Sequence, residues 1–433
     1  MQFDSIIRSF LRNPATIEGK SVDLKSGQIF HGKLGKLFAG QYAEIWIGSQ
    51  KLMAKIEAPL ISGKGYWFQV SNRTGEITLK VLDKEHKPVI NNTQASPSPH
   101  LLGLRDTKLH RKFTEFLIDE QLSLTKDEIH KGARFLTAVD DSELAMQALK
   151  TMSKRQLPFT ENIFKSLYAV LKESVPLSTS ISQLRNLLIA EGTISETGKS
   201  LLSLLKEWEM TANQLDQLGN TTSTQEVLLA KIKQSVAKLG LNYETQLFNN
   251  QVDKETINTL FKPLVVRLIQ ENSPLMNSSI QEAAENLLLR MNGQQLLSIS
   301  HNNIQTHLYE IPIPLGSDLK NLTIQWTGRK TENGKFDMDY CHIIFYLDLE
   351  HLKATIVDMQ VQNRIVNLLI INEWPEIKEQ ADSIIPILQA GFAELNYSLS
   401  GVHFKTPDDE NRQVRKNPYS NGSSFDTGVD IRI

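Results

Sequence analysis

The spacing of apolar residues changes twice along this chain, from alternation to helical periodicity and back to alternation. Alternation places every second side chain on one face of a strand, whereas spacings of three and four residues place side chains on one face of a helix. The 433 residues leave room for roughly two to four domains. We therefore predict a multidomain α and β protein with a small N-terminal β barrel, a helical middle domain and a C-terminal α+β domain.

The N-terminal β region, residues 21–83, is predicted to form the small barrel. Short alternating runs are separated there by closely spaced glycines, as strands joined by tight turns require. Trp46 and Trp67 lie within two of these runs. They could form an exposed stacking surface for single-stranded nucleic acid, but a barrel of about 60 residues needs large aromatic side chains to fill its core. We interpret both tryptophans as core residues, and residues 1–20 as an N-terminal helix or tail.

The middle of the chain, residues 107–300, is predicted to be a helical domain. Periodicity is lost over residues 84–106, which contain a Ser-Pro-Ser-Pro sequence and are predicted to be a linker. Beyond the linker, apolar residues recur at helical spacing. Two residue pairs fit capping boxes, in which side chains satisfy the free amide groups of a helix N-terminus: Thr125 with Glu128, and Ser279 with Glu282.

The C-terminal region, residues 304–405, is predicted to be an α+β domain in which one long helix covers a mainly antiparallel sheet. The helix is predicted over residues 375–396, where a proline stands in the first turn and apolar residues recur at helical spacing. The apolar stripe that should pack on the sheet comprises Ile377, Ala381, Ile384, Ile385, Leu388, Phe392 and Leu395. Residues 406–433 are polar and are predicted to be a flexible tail.

The segment 192–200 resembles a phosphate-binding loop but has the wrong spacing. Five residues separate Gly192 from Gly198, where the loop motif has about four. The residues before Gly192 have helical spacing, although the motif follows a strand. We therefore predict no nucleotide site and interpret Gly192 as the end of a helix.

Histidine and cysteine residues give little indication of a metal or a catalytic site. The densest group is His342, His351 and His403 with Cys341 and Asp358. These side chains could converge on a metal, but we interpret them as the solvated face of a half-buried sheet. Adjacent strand residues point to opposite faces, so His342 cannot act as a base for Cys341. We expect no catalytic residues, no metal, no cofactor and no enzymatic activity.

Charge and hydropathy exclude further classes of function. The 47 Lys and Arg residues balance 49 Asp and Glu residues, so the net charge does not favour nucleic acid. No apolar run approaches the ~20 residues that a membrane-spanning helix needs, and no cleaved signal is recognisable. The single cysteine, Cys341, cannot form an internal disulfide and suits a reducing compartment. We expect a cytoplasmic protein without membrane insertion or nucleic-acid binding.

Part of the C-terminal region resembles the C-terminal domain of the flagellar hook-length control protein family, in its less-studied Gram-positive form. The matching segments are residues 347–361, 365–371, the helix containing Ile385-Pro-Ile-Leu388, and residues 399–404. The family pattern has a Leu-Glu-x-Leu-Gly turn, two alternating strands, a helix and a final strand. Lys353 stands here where the family usually has glycine.

The resemblance implies a protein that works by binding. It implies that the C-terminal domain contacts the cytoplasmic domain of the flagellar type III export gate and switches export from hook-type to filament-type substrates. Hook or hook-cap proteins are further partners to expect, and the chain itself can be exported by this pathway without a cleaved signal. The residues expected to bind the partner are Leu349, Glu350, Leu352, Ile356 and Val361. The alternative is a cytoplasmic scaffold or adaptor that keeps the fold without being secreted.

Overall fold

The computed structural model describes residues 24–38, 41–56, 59–73, 76–82, 98–172, 175–191, 194–216, 222–249, 254–271, 277–298, 304–315, 318–331, 336–349, 351–374 and 376–407. Helices and strands are mixed, with one sheet near each end of the chain. The predicted N-terminal segment, most of the predicted linker and nearly all of the predicted tail lie outside the described residues.

Contacts divide the described residues into two compact units. The first contains the residues up to Lys172 together with Leu289–Leu296, and the second contains residues 175–288 and those from Leu297 onward. The predicted helical domain, residues 107–300, is therefore shared between the two units. Each unit combines one sheet with helices.

The sheet of the first unit closes on itself. Its strands are β1 (Gln28–Leu37), β2 (Tyr42–Ile47), β3 (Gln50–Ile56), β4 (Gly65–Arg73), β5 (Glu76–Val81) and β6 (Leu124–Thr125). The pairings run from β1 to β2, β3, β5 and β4 and return to β1, with β3 and β5 parallel and the other four pairs antiparallel. The short β6 pairs with the start of β1.

Alternation along these strands produces the core of the first unit. Ala43, Ile45 and Ile47 on β2 are buried in one apolar cluster, and Tyr66, Phe68 and Val70 on β4 are buried in the same cluster. Trp46 and Trp67 point to the opposite side of their strands, because consecutive side chains alternate. Trp67 is nevertheless buried, as predicted, whereas the prediction that Trp46 fills the core is wrong, since 38% of it is exposed.

Helices complete the first unit. They are a short 3₁₀ helix (Pro99–Leu102) within the predicted linker, α1 (Lys108–Asp119), α2 (Lys126–Thr137), α3 (Ser142–Lys154) and α4 (Glu161–Lys172). The capping box at α2 is confirmed, because the Glu128 amide donates to Thr125 Oγ1 at 3.3 Å and the Thr125 amide donates to Glu128 Oε2 at 2.7 Å. This pair of hydrogen bonds satisfies two amides that no helical carbonyl reaches.

The second unit begins with helices and ends with a six-stranded sheet. Its helices are α5 (Leu177–Ala190), α6 (Glu196–Asp216), α7 (Thr222–Leu239), α8 (Tyr243–Phe248), α9 (Lys254–Ile257), α10 (Phe261–Gln270) and α11 (Ser278–Leu297), the last of which continues into the first unit. The predicted capping box of Ser279 and Glu282 is wrong. Helix α11 already includes Ser278, and Asn277 Oδ1 accepts from the Ser279 amide at 3.0 Å.

The sheet of the second unit has the order β12-β11-β10-β9-β8-β7. Its strands are β7 (Ile304–Leu315), β8 (Asp318–Lys330), β9 (Phe336–Leu349), β10 (Lys353–Gln362), β11 (Ile365–Asn372) and β12 (Ser398–Lys405). All neighbours are antiparallel except β11 and β12, which are parallel. A parallel pair needs a crossover connection, and two short helices, α12 (Ile377–Ala381) and α13 (Ile385–Glu394), supply it.

The predicted single helix over residues 375–396 is therefore wrong. A turn at 382–384 separates α12 from α13. Pro386 explains the break, since its ring would clash with the carbonyl of Asp382 and it has no amide to donate to that carbonyl. Pro386 is the second residue of α13, and a proline in the first turn of a helix is harmless because the amide that it lacks would have no partner within the helix. Neither short helix contains a buried residue, so the expected packing of a long helix across the sheet is wrong as well.

Candidate partner-binding surface

The turn between β9 and β10 carries most of the residues expected to bind a partner. Leu349 pairs with Lys353 across the turn, and Glu350 lies outside the described residues. Lys353 has a φ of 57°, in the left-handed region where glycine meets no steric penalty. The backbone thus has the conformation for which the family's glycine is suited, although a lysine occupies the position at a cost of about 1 kcal/mol.

A buried asparagine holds this turn in place. Asn372, 2% exposed at the end of β11, donates from Nδ2 to the Leu352 carbonyl at 2.7 Å and to Thr355 Oγ1 at 2.8 Å. Its Oδ1 accepts from the Trp374 amide at 2.8 Å. One side chain therefore ties the turn to the beginning of the crossover. Sequence reasoning missed Asn372, whose only signal is a polar residue at the end of a strongly apolar strand.

The residues expected to bind a partner do not form one surface. Leu349, Leu352 and Ile356 are half-buried. Val361 is 5% exposed and belongs to the apolar core of the sheet. Ile356 and Val361 point to opposite faces, because their positions on one strand differ by five, an odd number. Their role in binding stays a prediction.

One face of the second sheet is apolar and is covered by α13 only in part. Its buried residues are Cys341, Ile343, Val361, Val366 and Leu368. Phe392 of α13 and Tyr397 pack against this cluster. Several strand residues of the same face, such as Phe345, Val357 and Met359, are only half-buried. Within the part of the chain that the structure describes, burial of this face is therefore incomplete.

Helix α13 and the residues at its two ends carry an exposed apolar stripe. Ile384 is 58% exposed, Ile387 52%, Leu388 38% and Leu395 67%. Spacings of three, four and seven residues place these four side chains on one side of a helix and its continuation. Gly391 lies in the same row, and a Cβ atom there would have no neighbour within 4 Å. We call Ile384, Ile387, Leu388 and Leu395 the α13 stripe.

The histidine and cysteine group does not converge. His342 Nε2 lies 2.7 Å from Asp358 Oδ1, whereas Cys341 is buried on the other face of β9. Burial raises the pKa of the Cys341 thiol, which disfavours the nucleophilic thiolate. In the described ranges no group of three or more His, Cys, Asp or Glu side chains is arranged to hold a metal ion.

The segment that resembles a phosphate loop is the start of a helix. Gly192 lies outside the described residues, and Gly198 and Lys199 are in the first turn of α6. Ser195 Oγ accepts a hydrogen bond from the Gly198 amide at 3.1 Å, and the Ser195 carbonyl accepts one from the Lys199 amide at 2.9 Å. Lys199 itself pairs with Glu196 at 2.7 Å. The amides of Gly198 and Lys199 thus form hydrogen bonds at the start of the helix, and the Lys199 ammonium group forms an ion pair on the surface.

No protein-family model and no solved structure matches this chain. The chain is similar to YlqG of Bacillus subtilis (strain 168), an uncharacterized protein, with 20% identity over an alignment of 540 positions. The alignment covers 93% of each of the two chains. Among the described helices, none combines the length and the apolar composition needed to cross a bilayer.

Proposed function

We propose that this chain is a non-enzymatic component of the flagellar type III export system. It binds the cytoplasmic domain of the export gate and switches export from hook-type to filament-type substrates, as its resemblance to hook-length control proteins implies. The finer fold belongs to the same proposal: a small N-terminal β barrel and a C-terminal α+β domain that carries the binding surface.

The α13 stripe is the observation that supports a binding role most strongly. Large apolar side chains scattered singly on a surface are ordinary, but a contiguous apolar patch is typical of an interaction site. A helix that presents residues at positions i, i+3, i+4 and beyond matches the way helices dock into apolar grooves. The α13 stripe has this spacing, and none of its four residues is charged.

The turn between β9 and β10 contributes a second element to the proposal. Buried Asn372 fixes the turn to the start of the crossover that contains α13. A partner that contacts Leu349 and Leu352 would therefore meet residues beside a fixed point of the backbone, which lowers the entropy cost of binding.

Titration calorimetry between the full chain and the purified cytoplasmic domain of the export gate tests the proposal. Ile387→Asp places a charge in the α13 stripe and should weaken binding at least about tenfold, because a buried unpaired carboxylate is costly. Gln389→Asp adds the same charge to the same helix, two residues away, and should bind like the unmodified chain. Equal affinities of the two variants, or no binding by the unmodified chain, would refute the proposal.

The second candidate is a scaffold or adaptor that remains in the cytoplasm. It is favoured by the packed helices and strands of both units, which an exported chain would have to unfold. Detection of the intact chain in the culture medium, dependent on a working export apparatus, separates the two candidates. Secretion supports the first, and retention of the chain inside cells supports the second.

A further inference from the structure

The outer side of β1, β2 and β3 interleaves aromatic and lysine side chains. Across the strands, Lys33 pairs in register with Trp46 and Trp46 with Lys51, while Tyr42 pairs with Lys55. We call these five residues, with Glu44 and Met53, the β1–β3 face. Trp46 is 38%, Tyr42 37% and Met53 49% exposed. Two aromatic rings therefore reach solvent between three lysines.

The other tryptophan of this sheet is in a different position. Trp67 also points away from the apolar cluster inside the sheet, but it is 1% exposed, and its ring lies 5.6 Å from that of His31. In the same unit, α1 contacts β1, and β6 pairs with the first two residues of β1. One outer face of the closed sheet is thus covered, and the β1–β3 face is open within the described residues.

The Trp46 ring is held in place by its neighbours. A Cβ atom on Gly35 would lie 2.9 Å from Trp46 Nε1, so the indole uses space that only glycine leaves. Lys51 Nζ stands 5.6 Å from the centre of the ring. A fixed ring loses little conformational freedom when a flat ligand stacks on it, which favours binding.

Positive charge dominates the face. Glu44 is its single carboxylate, and Lys51 Nζ pairs with it at 2.6 Å. The hydrogen bond from Lys51 lowers the pKa of Glu44, so that the two charges cancel near neutral pH. Lys33 and Lys55 form no ion pair with another described residue, and Lys36 adds positive charge close to Glu44. The balanced net charge of the whole chain does not describe this local excess.

From this arrangement we infer that the β1–β3 face binds single-stranded nucleic acid. Unpaired bases stack on exposed aromatic rings, and lysines beside the rings contact the phosphates that connect those bases. The pairing order 1-2-3-5-4-1, with strands 3 and 5 parallel, gives a five-stranded closed sheet, and in barrels of this kind the face of strands 2 and 3 takes up oligonucleotides. A duplex does not offer its base faces and should bind much more weakly. This site is separate from the proposed export function and replaces our expectation of no nucleic-acid binding.

Fluorescence anisotropy of a labelled oligothymidine of about 12 nucleotides, titrated with the full chain at low salt, tests the inference. Saturable binding is expected, with oligouridine comparable because nothing on the face selects a 2′-hydroxyl group. Trp46→Ala should weaken binding by about tenfold or more, and Trp46→Phe should retain most of it, because the phenyl ring still stacks. Circular dichroism checks that both variants fold.

Salt dependence supplies a second, independent test. Removing one phosphate contact by Lys33→Ala should reduce the slope of log affinity against log salt by about 0.7. Lys131→Ala, which removes a lysine paired with Asp127 on α2 of the same unit, should leave the slope unchanged. The inference is overturned if neither oligonucleotide binds, if Trp46→Ala binds like the unmodified chain, or if only an acidic polyglutamate probe binds in a Trp46-dependent way.

Discussion

At the scale of single residues, His31 illustrates how burial sets a charge state. Its imidazole packs edge-on against Trp67 with 5.6 Å between ring centroids, and burial lowers its pKa to about 4. Its Nε2 is buried without a hydrogen-bond partner, so no acceptor stabilises a proton on that nitrogen. His31 is therefore neutral near pH 7, where it serves as a packing residue.

The first prediction concerns the pH dependence that follows. Because the folded pKa lies below the unfolded value of 6.5, the unfolded state binds more protons between pH 6.5 and pH 4. His31 should then destabilise the first unit progressively as pH falls through this window, by on the order of 3 kcal/mol at its lower end. Proton NMR titration, with the signal assigned from a His31→Gln variant, should give a midpoint near 4. A midpoint above 6 would show that the ring is solvated.

The second prediction concerns Asn372. Asn372→Ala removes two side-chain donations and one acceptance that hold the turn between β9 and β10 and the start of the crossover. Leaving buried groups unsatisfied should lower the free energy of unfolding by about 2–3 kcal/mol. Asn367→Ala, at an exposed position of the same strand, should change it by less than about 0.5 kcal/mol. Urea unfolding compares the two, and equal effects would contradict the role assigned to Asn372.

At the scale of secondary-structure elements, α13 shows the difference between the periodicity of a helix and its burial. The four residues of the α13 stripe, two within the helix and one at each end of it, are exposed, while Phe392 packs on the core of the sheet. Apolar spacing identifies the residues that share a side of a helix, but it carries no information about what covers that side.

The third prediction follows from this placement. Leu388→Ala should cost less than about 1 kcal/mol, because 38% of Leu388 is already exposed. Leu368→Ala removes a side chain that is 5% exposed in the core of the same sheet and should cost about 2–5 kcal/mol, including the cavity left behind. Urea unfolding midpoints of the two variants should differ accordingly. A large loss for Leu388→Ala would place that residue in the core after all.

Local patterns in the sequence predicted some elements well. Alternation predicted the strands that contain Trp46 and Trp67, and the capping box at Thr125 predicted the start of α2. The break at Pro386 was missed, because proline is acceptable in the first turn of a helix and the longer apolar periodicity concealed a second helix start. The parallel pairing of β11 and β12 depends on how that crossover returns, which local spacing does not determine.

The candidate site was predictable only in part. The Leu-Glu-x-Leu motif located the turn between β9 and β10, where Lys353, a position at which hook-length control proteins usually have glycine, has a positive φ. Val361 was placed on the binding surface although it is a core residue. Ile384, Leu388 and Leu395 of the α13 stripe were recognised as part of an apolar row and assigned to the interior, because the sequence does not show that the sheet is only partly covered. Ile387 was not part of that predicted row.

At the scale of the whole molecule, each compact unit carries a surface suited to a different kind of ligand. The first unit presents the β1–β3 face, where lysines surround aromatic rings. The second presents the α13 stripe, which is apolar and uncharged. We expect substitutions in one surface to leave the other function intact, since Trp46 and Ile387 belong to separate units.

The distribution of hook lengths in a strain that lacks this chain tests the export role most directly. Electron microscopy of isolated hook–basal bodies should show hooks of uncontrolled length, because export would not switch to filament-type substrates. Supplying the unmodified chain or Gln389→Asp should restore a narrow distribution, and Ile387→Asp should not. Hooks of normal length in the strain that lacks the chain would contradict the proposed function.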